Sequence, residues 1–348
     1  MYWKYCLRRI FNGIITLVVI ILLLSILFNT VMEKTVISQI DDEIRAEQST
    51  MAFTKMSAEE MKEFISKRKE QKYKLYDLDK PRSYRIGMRT VKILTFQFGK
   101  SSHIRSASGS TDVWQIILEV IPRTVYLFTS AIIVDILLGL WLGIKKAQKA
   151  GTLMDKSTSM ATLVVYGMPS WWLGMLIIIL FAYVFKWFPS GGLNSTPPPQ
   201  GFLYVLDILY HMVLPVLTLV ILGFWGRAFL IRNIVLGILQ EDYIMAARAR
   251  GIPETKVLFG HALRTAAPPI TTMAILSLLA SVGGNIIFEG IFSWPGLGNL
   301  YWIAIEQNDV PVLMGALFIT TGLYIFGLVL LDLIYGYLDP RIKVGGKA

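Results

Sequence analysis

QEDYIMAARARGIPETKVLFGHALRTAAPPI, residues 240–270, is a polar, basic segment set between two long apolar runs. Its first half, residues 240–250, is rich in Ala and Arg, which favours a short helix. Gly251 stops that helix and supplies the positive φ that a sharp reversal needs. Pro253 can open a second helix, because a missing N–H costs nothing in a first turn. Helix, glycine break, helix describes a bent bracket. The plain alternative is an ordinary loop joining two membrane crossings.

Outward from this stretch, the chain is mostly apolar. Of its 348 residues, 54% are hydrophobic and only 17% are charged, below the share usual for a soluble domain. Mean hydropathy is +0.55. Several runs approach or exceed the ~18 residues that carry a helix across hydrocarbon. The alternation of a transmembrane barrel is absent, so the expected class is an all-α membrane protein.

The net charge is +10. Its basic residues cluster beside the apolar runs, which speaks for membrane topology and not for nucleic acid. The single Cys6 permits no intramolecular disulfide. His103, His211 and His261 are too widely separated for a metal-binding spacing, and no metal site is expected. No phosphate-binding GxxxxGK[ST] run occurs, so the chain is not itself an ATPase, and no catalytic constellation is visible.

In chain order, residues 1–30 hold a short basic N-terminus and a first span, 10–28. Residues 31–112 carry 16 Lys/Arg and 12 Asp/Glu. They read as a mainly helical extracellular insert, with a helix start at Ser57-x-x-Glu60 and a second helix over 84–96. Residues 113–348 hold five further spans: 124–144, 160–185 (interrupted by Gly167-Met168-Pro169), 206–230, 269–288 and 312–335. The four segments assigned to the inside carry 3, 4, 6 and 3 Lys/Arg, against none in residues 189–200 and 290–309. Six spans with both termini cytoplasmic satisfy that asymmetry.

Polar groups within the spans are candidates for a substrate path. Asp135 stands in an aliphatic run, and an intramembrane carboxylate is costly without a cavity or partner. Asn285 and Glu289, four apart, would share one face at the outer end of the fifth span. The alternatives are an inner-end position for Asp135 and an interhelical hydrogen bond with an interface carboxylate for the other two. Arg227 and Arg232 read as inner-edge anchors. Pro169 and Pro215 are expected to kink their helices.

These residues also carry a family resemblance. Met245-Ala246-Ala247, three residues, then Gly251 stands in the register of the EAA-x3-G loop, with Met245 departing from the glutamate. The chain resembles the permease subunits of bacterial ATP-binding-cassette importers of the oligopeptide/dipeptide/nickel type. MYWKYCLRRI, Leu78-Asp79-Lys80-Pro81, Phe98-Gly99-Lys100-Ser101, Gly167-Met168-Pro169-Ser170-Trp171-Trp172-Leu173-Gly174, Phe292-Ser293-Trp294-Pro295-Gly296-Leu297-Gly298 and Leu338-Asp339-Pro340-Arg341 are similar to landmarks of that branch. The likeness covers nearly the full length and is weakest over residues 33–76.

The resemblance implies a type I importer permease fold in the bacterial cytoplasmic membrane, with residues 240–266 as the cytoplasmic coupling segment. It implies ATPase-coupling roles for Ala246, Ala247, Arg248, Arg250, Gly251, Glu254 and His261. It further implies a second permease subunit, two ATP-binding subunits carrying ATP and Mg, and an extracellular substrate-binding protein. The expected substrates are di- or oligopeptides; nickel chelates, glutathione and oligosaccharides belong to the same branch. An ion-coupled secondary transporter or a membrane scaffold is the reading from a different class.

Overall fold

The computed structural model describes residues 2–48 and 58–338. Among them the structure is helical, with one isolated antiparallel bridge between Lys100 and Asp112. Ser57 of the proposed helix start and the Asp339-Pro340-Arg341 motif lie outside the described residues. Among the described residues five helices are long and apolar enough to cross a membrane. The expected third span, 160–185, is a pair, α5 (Leu153–Tyr166) and a segment running from Ser170 to Val184, bent by 100°. Pro169 explains the break. It has no N–H to continue α5, and it pushes the residue before it out of the helical region. A single kinked span was expected there, and the turn is far sharper. Pro215, by contrast, lies inside an unbroken α7 (Phe202–Leu239).

The chain divides into two units. The first contains α1 (Tyr2–Gln48), α2 (Ala58–Leu75), α3 (Arg82–Leu94) and α13 (Val310–Leu338). The expected boundary after residue 30 is not a break, because α1 continues through it as one helix. Its apolar part packs on α13 where Gly13 approaches the Val329 and Ile325 side chains. Arg9 pairs with Asp332 at 2.9 Å. The polar extension of α1 takes α2 alongside through a comb of charges. Arg68 meets Glu47 and Lys69 meets Asp41, both at 2.8 Å, and Lys72 reaches Glu43 and Glu47. Solvent screens such surface pairs, so they set the register of α2 more than its stability.

Asp309, fully buried, closes the same unit. Its Oδ2 accepts from Ser101 Oγ at 2.5 Å and from the backbone N–H groups of Ser102 and His103. Phe96, Phe98, Trp114 and Phe318 pack beside it ring against ring.

The second unit runs from Glu119 to Trp302. It holds the body of α4 (Val113–Gln148), then α5, α6 (Ser170–Ile177) with a π-helical turn (Ile178–Val184), and α7. The bracket helices α8 (Asp242–Ala249) and α9 (Glu254–Lys256), then α10 (Leu263–Ala280) and the short α11 (Ile286–Ile291), complete it. Helix α12 (Leu297–Glu306) leads out towards α13. Helices α4 and α7 touch almost backbone to backbone. A Cβ on Gly143 would lie 2.8 Å from the Ala228 carbonyl oxygen, and one on Gly139 would lie 2.9 Å from Arg227. These glycines form a G-x-x-x-G pair, the pattern that lets membrane helices approach closely.

Gly143→Ala is therefore expected to lower stability by about 1–3 kcal/mol through overpacking. Gly237→Ala, with open space around it, should be neutral or slightly stabilising. Thermal unfolding of the detergent-solubilised protein compares the two.

Candidate functional site

The bracket of residues 240–266 takes its shape from backbone chemistry. Helix α8 ends at Gly251, whose φ is 77°. The Gly251 N–H donates to the Arg248 carbonyl at 2.9 Å, and the Ile252 N–H donates to the Ala247 carbonyl at 3.3 Å. This pairing is the Schellman end of a helix, with glycine in its left-handed position. Pro253 then caps α9, and a π-helical stretch (Val257–Ala262) carries the chain into α10. The second arm thus opens into a wider turn, with i→i+5 bonds, before α10 begins.

Side chains fix the elbow. Arg248 holds Glu254 with two bonds, at 3.0 and 2.6 Å, and its third nitrogen donates to the Leu239 carbonyl at the end of α7. Glu254 keeps the Arg248 guanidinium firmly protonated. Tyr243 Oη meets Thr265 Oγ1 at 3.0 Å, tying α8 to the start of α10. Beneath, Ile244, Ala247, Val257, Leu258, Ala262 and Ala266 pack on Ile231, Val235 and Leu239 of α7 and Ala147 of α4. The bracket is therefore continuous with the spans through a common apolar core.

The predicted coupling residues divide by direction. Ala247 is buried in that core. Arg248 and Glu254 brace the elbow. Ala246, Arg250, Gly251 and His261 are exposed, beside the exposed side chains of Met245 and Phe259.

The connection between α10 and α12 is built around one carboxylate. Glu289 has no exposed surface. Its Oε1 accepts from Thr124 Oγ1 at 3.0 Å, and its Oε2 accepts from the Asn299 N–H at 3.1 Å. Thr124 Oγ1 in turn accepts from the Leu297 N–H at 2.7 Å. The Trp294 indole donates to the Arg123 carbonyl at 3.0 Å, while Arg123 donates to the Pro295 carbonyl. A Cβ on Gly296 would lie 2.5 Å from both Glu289 Oε2 and Thr124 Oγ1. The Phe292–Gly298 motif thus folds around Glu289, and its glycine makes room for the carboxylate. Asn285 does not share a continuous helix with Glu289 as expected. Helix α10 ends at Ala280, and Asn285 is the cap of α11, its side chain accepting from the Phe288 N–H at 2.9 Å.

Asp135 is buried on α4 facing Arg227 of α7, whose Nη2 and Nε reach the same Oδ2 at 2.6 and 2.8 Å. Arg227 Nη2 also reaches Ser277 of α10 at 3.3 Å. Arg227, expected as an inner-edge anchor, is thus the partner of the intramembrane carboxylate. Arg232 likewise pairs with buried Asp155 at 2.7 Å. Asp135 and Arg227 stand out in the sequence as lone charges in apolar runs, whereas Asp155 lies beside Lys156 in a polar stretch that gives no such signal; one sequence does not say which acid meets which base. The face of α10 beside Ser277 forms a shallow recess lined by Pro269, Thr272, Leu276 and Ala280. Among the described residues no cluster of His, Cys, Asp and Glu is arranged to hold a metal ion.

Multiple apolar helices, a braced bracket packed against them and a glycine-rich connection define a polytopic membrane protein. Residues 135–344 match the family described as binding-protein-dependent transport system inner membrane component. The chain belongs to that family and is a transport permease. It is 30% identical over 233 residues to the oligopeptide transport system permease protein AppB of Bacillus subtilis, covering 67% of this chain and 73% of that protein. It is 32% identical over 259 residues to the dipeptide transport system permease protein DppB of Escherichia coli K12, covering 68% and 76%. It is 33% identical over 274 residues to the peptidoglycan transport system permease protein YejB of Agrobacterium fabrum, covering 77% and 74%.

Two outcomes follow from this geometry. Gly296→Ala forces the Glu289 carboxylate or Thr124 aside and should cost about 1–3 kcal/mol, whereas Gly290→Ala, which meets nothing within 4 Å, should be close to neutral; thermal melts read both. Asp135→Leu alone leaves a buried guanidinium unpaired and should cost about 3–5 kcal/mol, while Asp135→Leu with Arg227→Leu should recover much of that loss, measured by yield and melting temperature of the solubilised protein.

Proposed function

We propose that this permease forms half of the translocation path of an ATP-driven importer of di- or oligopeptides. Its complex would contain a second related permease, two ATP-binding subunits that carry ATP and Mg, and an external substrate-binding protein. The chain itself would bind no nucleotide. Both termini and the bracket would face the cytoplasm, as the distribution of Lys and Arg along the sequence favours.

The observation that carries the proposal is the braced elbow at Gly251. A coupling element must pass a partner's movement to the spans without bending. Here the Schellman turn, the Arg248–Glu254 clamp and the shared core with α4 and α7 supply that stiffness. The exposed Met245, Ala246, Arg250, Phe259, Gly260 and His261 then form the surface that an ATP-binding subunit would meet, apolar with a basic edge. Peptide as the substrate class is supported by the names of the relatives. The recess on α10 carries no charged side chain, which suits cargo of varied sequence. Asp135, Asn285 and Glu289 would serve that path as supports, holding Arg227 and the outer connection in place.

Gly251→Val tests the coupling role. A β-branched residue at φ 77° costs about 1–2 kcal/mol of backbone strain. The variant should insert and assemble at normal levels, yet ATP hydrolysis should no longer drive uptake, which falls severalfold. Gly251→Asn, which tolerates the left-handed region better, should lose less. Wild-type uptake by the Val variant at equal membrane abundance would overturn the role. Uptake in proteoliposomes with the cognate binding protein, comparing labelled di- and oligopeptides with nickel chelate, glutathione and oligosaccharide, tests the substrate class. Transport of one of the last three with no peptide uptake would refute the assignment.

A further inference from the structure

Helix α3 is held at one level of the molecule by its basic face. Arg82, Arg85, Arg89 and Lys92 recur at helical spacing along one side. Three of them are tied to successive positions of α1: Arg82 to Thr30 at 3.3 Å, Arg85 to Glu33 at 2.9 Å, and Arg89 to Asn29 at 3.0 Å. Those α1 positions follow directly on the apolar run of residues 10–28. At 1.5 Å per residue that run spans about 28 Å, the thickness of the hydrocarbon layer. Residues 29–33 therefore emerge where headgroups begin. The outer face of α3 suits that level, since Tyr84, Met88 and Val91 are exposed beside the cations, the composition of a helix lying in a membrane interface.

A cavity of about 280 Å³ opens between α3, α1 and the first turns of α13. One side is basic, with Arg85, Arg89 and Lys92; the other is apolar, with Met32, Val36 and Met314. The cations outnumber what answers them. Glu33 is shared, its Oε1 accepting both from Asn29 at 2.7 Å and from Arg85. Arg85 Nε is buried with no hydrogen-bond acceptor. Among the described residues Arg89 hydrogen-bonds the neutral Asn29 side chain; burial lowers its affinity for its proton, the Glu33 charge opposes that, and the Arg85 charge adds to it. Lys92 is exposed and makes no ion pair among the described residues. The one carboxylate on the lining is Asp77.

We propose that this cavity binds an anionic phospholipid of the leaflet on the insert's side, with the phosphodiester against Arg89 and Lys92 and the start of an acyl chain along Met32, Val36 and Met314. Phosphate takes the donors that the pocket leaves unanswered. The apolar wall and the position at the end of the α1 span select a lipid over a soluble anion. The bound lipid would fix α3, and with it the insert, to the membrane surface.

Native mass spectrometry of the full-length chain in its purified transport complex tests this, with phosphatidylglycerol and phosphatidylcholine added in turn. The wild type should retain phosphatidylglycerol at least fivefold more strongly. Lys92→Gln should weaken retention about fivefold, the effect of one basic residue at a membrane surface. Arg89→Gln with Lys92→Gln should abolish the preference, while Lys67→Gln on α2 leaves it unchanged. Because Lys92 is exposed and unpaired, its single variant keeps the test sound even if the double variant assembles poorly. Equal retention of the two lipids by the wild type, or unchanged preference in Lys92→Gln, would overturn the proposal. So would sn-glycerol 3-phosphate competing as well as the lipid, which would assign the pocket to a soluble anion. Loss of binding-protein docking in Lys92→Gln, with phosphatidylglycerol retained, would assign these cations to a protein partner instead.

Discussion

Hydrocarbon offers a carboxylate nothing to bond with, so every acid buried in this chain must be met by donors supplied from elsewhere in the fold. That constraint organises the molecule. Asp135 requires Arg227, which draws α4 to α7. Asp155 requires Arg232 and the N–H of Gly151, which fixes α5 on α7. Glu289 requires Thr124 and the Asn299 N–H, which folds the connection between α10 and α12 back on α4. Asp309 requires Ser101 and two backbone N–H groups, which seats the end of the insert against the first turn of α13. In each case the acid selects its neighbours by what they can donate. Apolar packing then fills the space between, with glycine wherever two backbones or a backbone and a carboxylate come closest.

The bracket shows how a charge can be mistaken for a contact. Arg248 and Arg250 are two apart, equally basic and equally suited on paper to a partner's acidic groups. On the folded helix they face differently. Arg248 is turned inward to Glu254 and to the end of α7, and its work is to hold an angle. Arg250 remains on the surface. The same division separates Ala246 from Ala247: one small side chain lies on the surface, the other in the chain's own core.

How much was legible follows from range. The helical class, the number of apolar segments and the elbow at Gly251 depend on composition and on neighbours a few residues away, so residues 240–253 disclosed their turn before any coordinates. The 100° bend at Pro169 was legible as a break but not as an angle, because the angle depends on what α6 packs against. Asp135 and Arg227 stood out singly as charges in apolar runs. Their pairing, 92 residues apart, is a property of the fold. Gly139 and Gly143 carry a recognisable spacing, but the helix that meets them is a property of the fold. Glu289 stands out in the sequence as a carboxylate at the end of an apolar run, but its donors arrive from α4 and from the first turn of α12, and neither is visible from its own helix.

Helix α1 is 47 residues long and unbroken, about 70 Å from end to end. Some 20 residues of it project beyond the apolar run, which makes a lever with its fulcrum at the membrane surface. A tilt of about 5° within the bilayer sweeps the far end through roughly 2–3 Å, carrying α2 with it through their comb of ion pairs. Movement that is small among closely packed spans is thus magnified at the tip of the insert. By the same lever, a load applied at that tip is returned to the spans as torque.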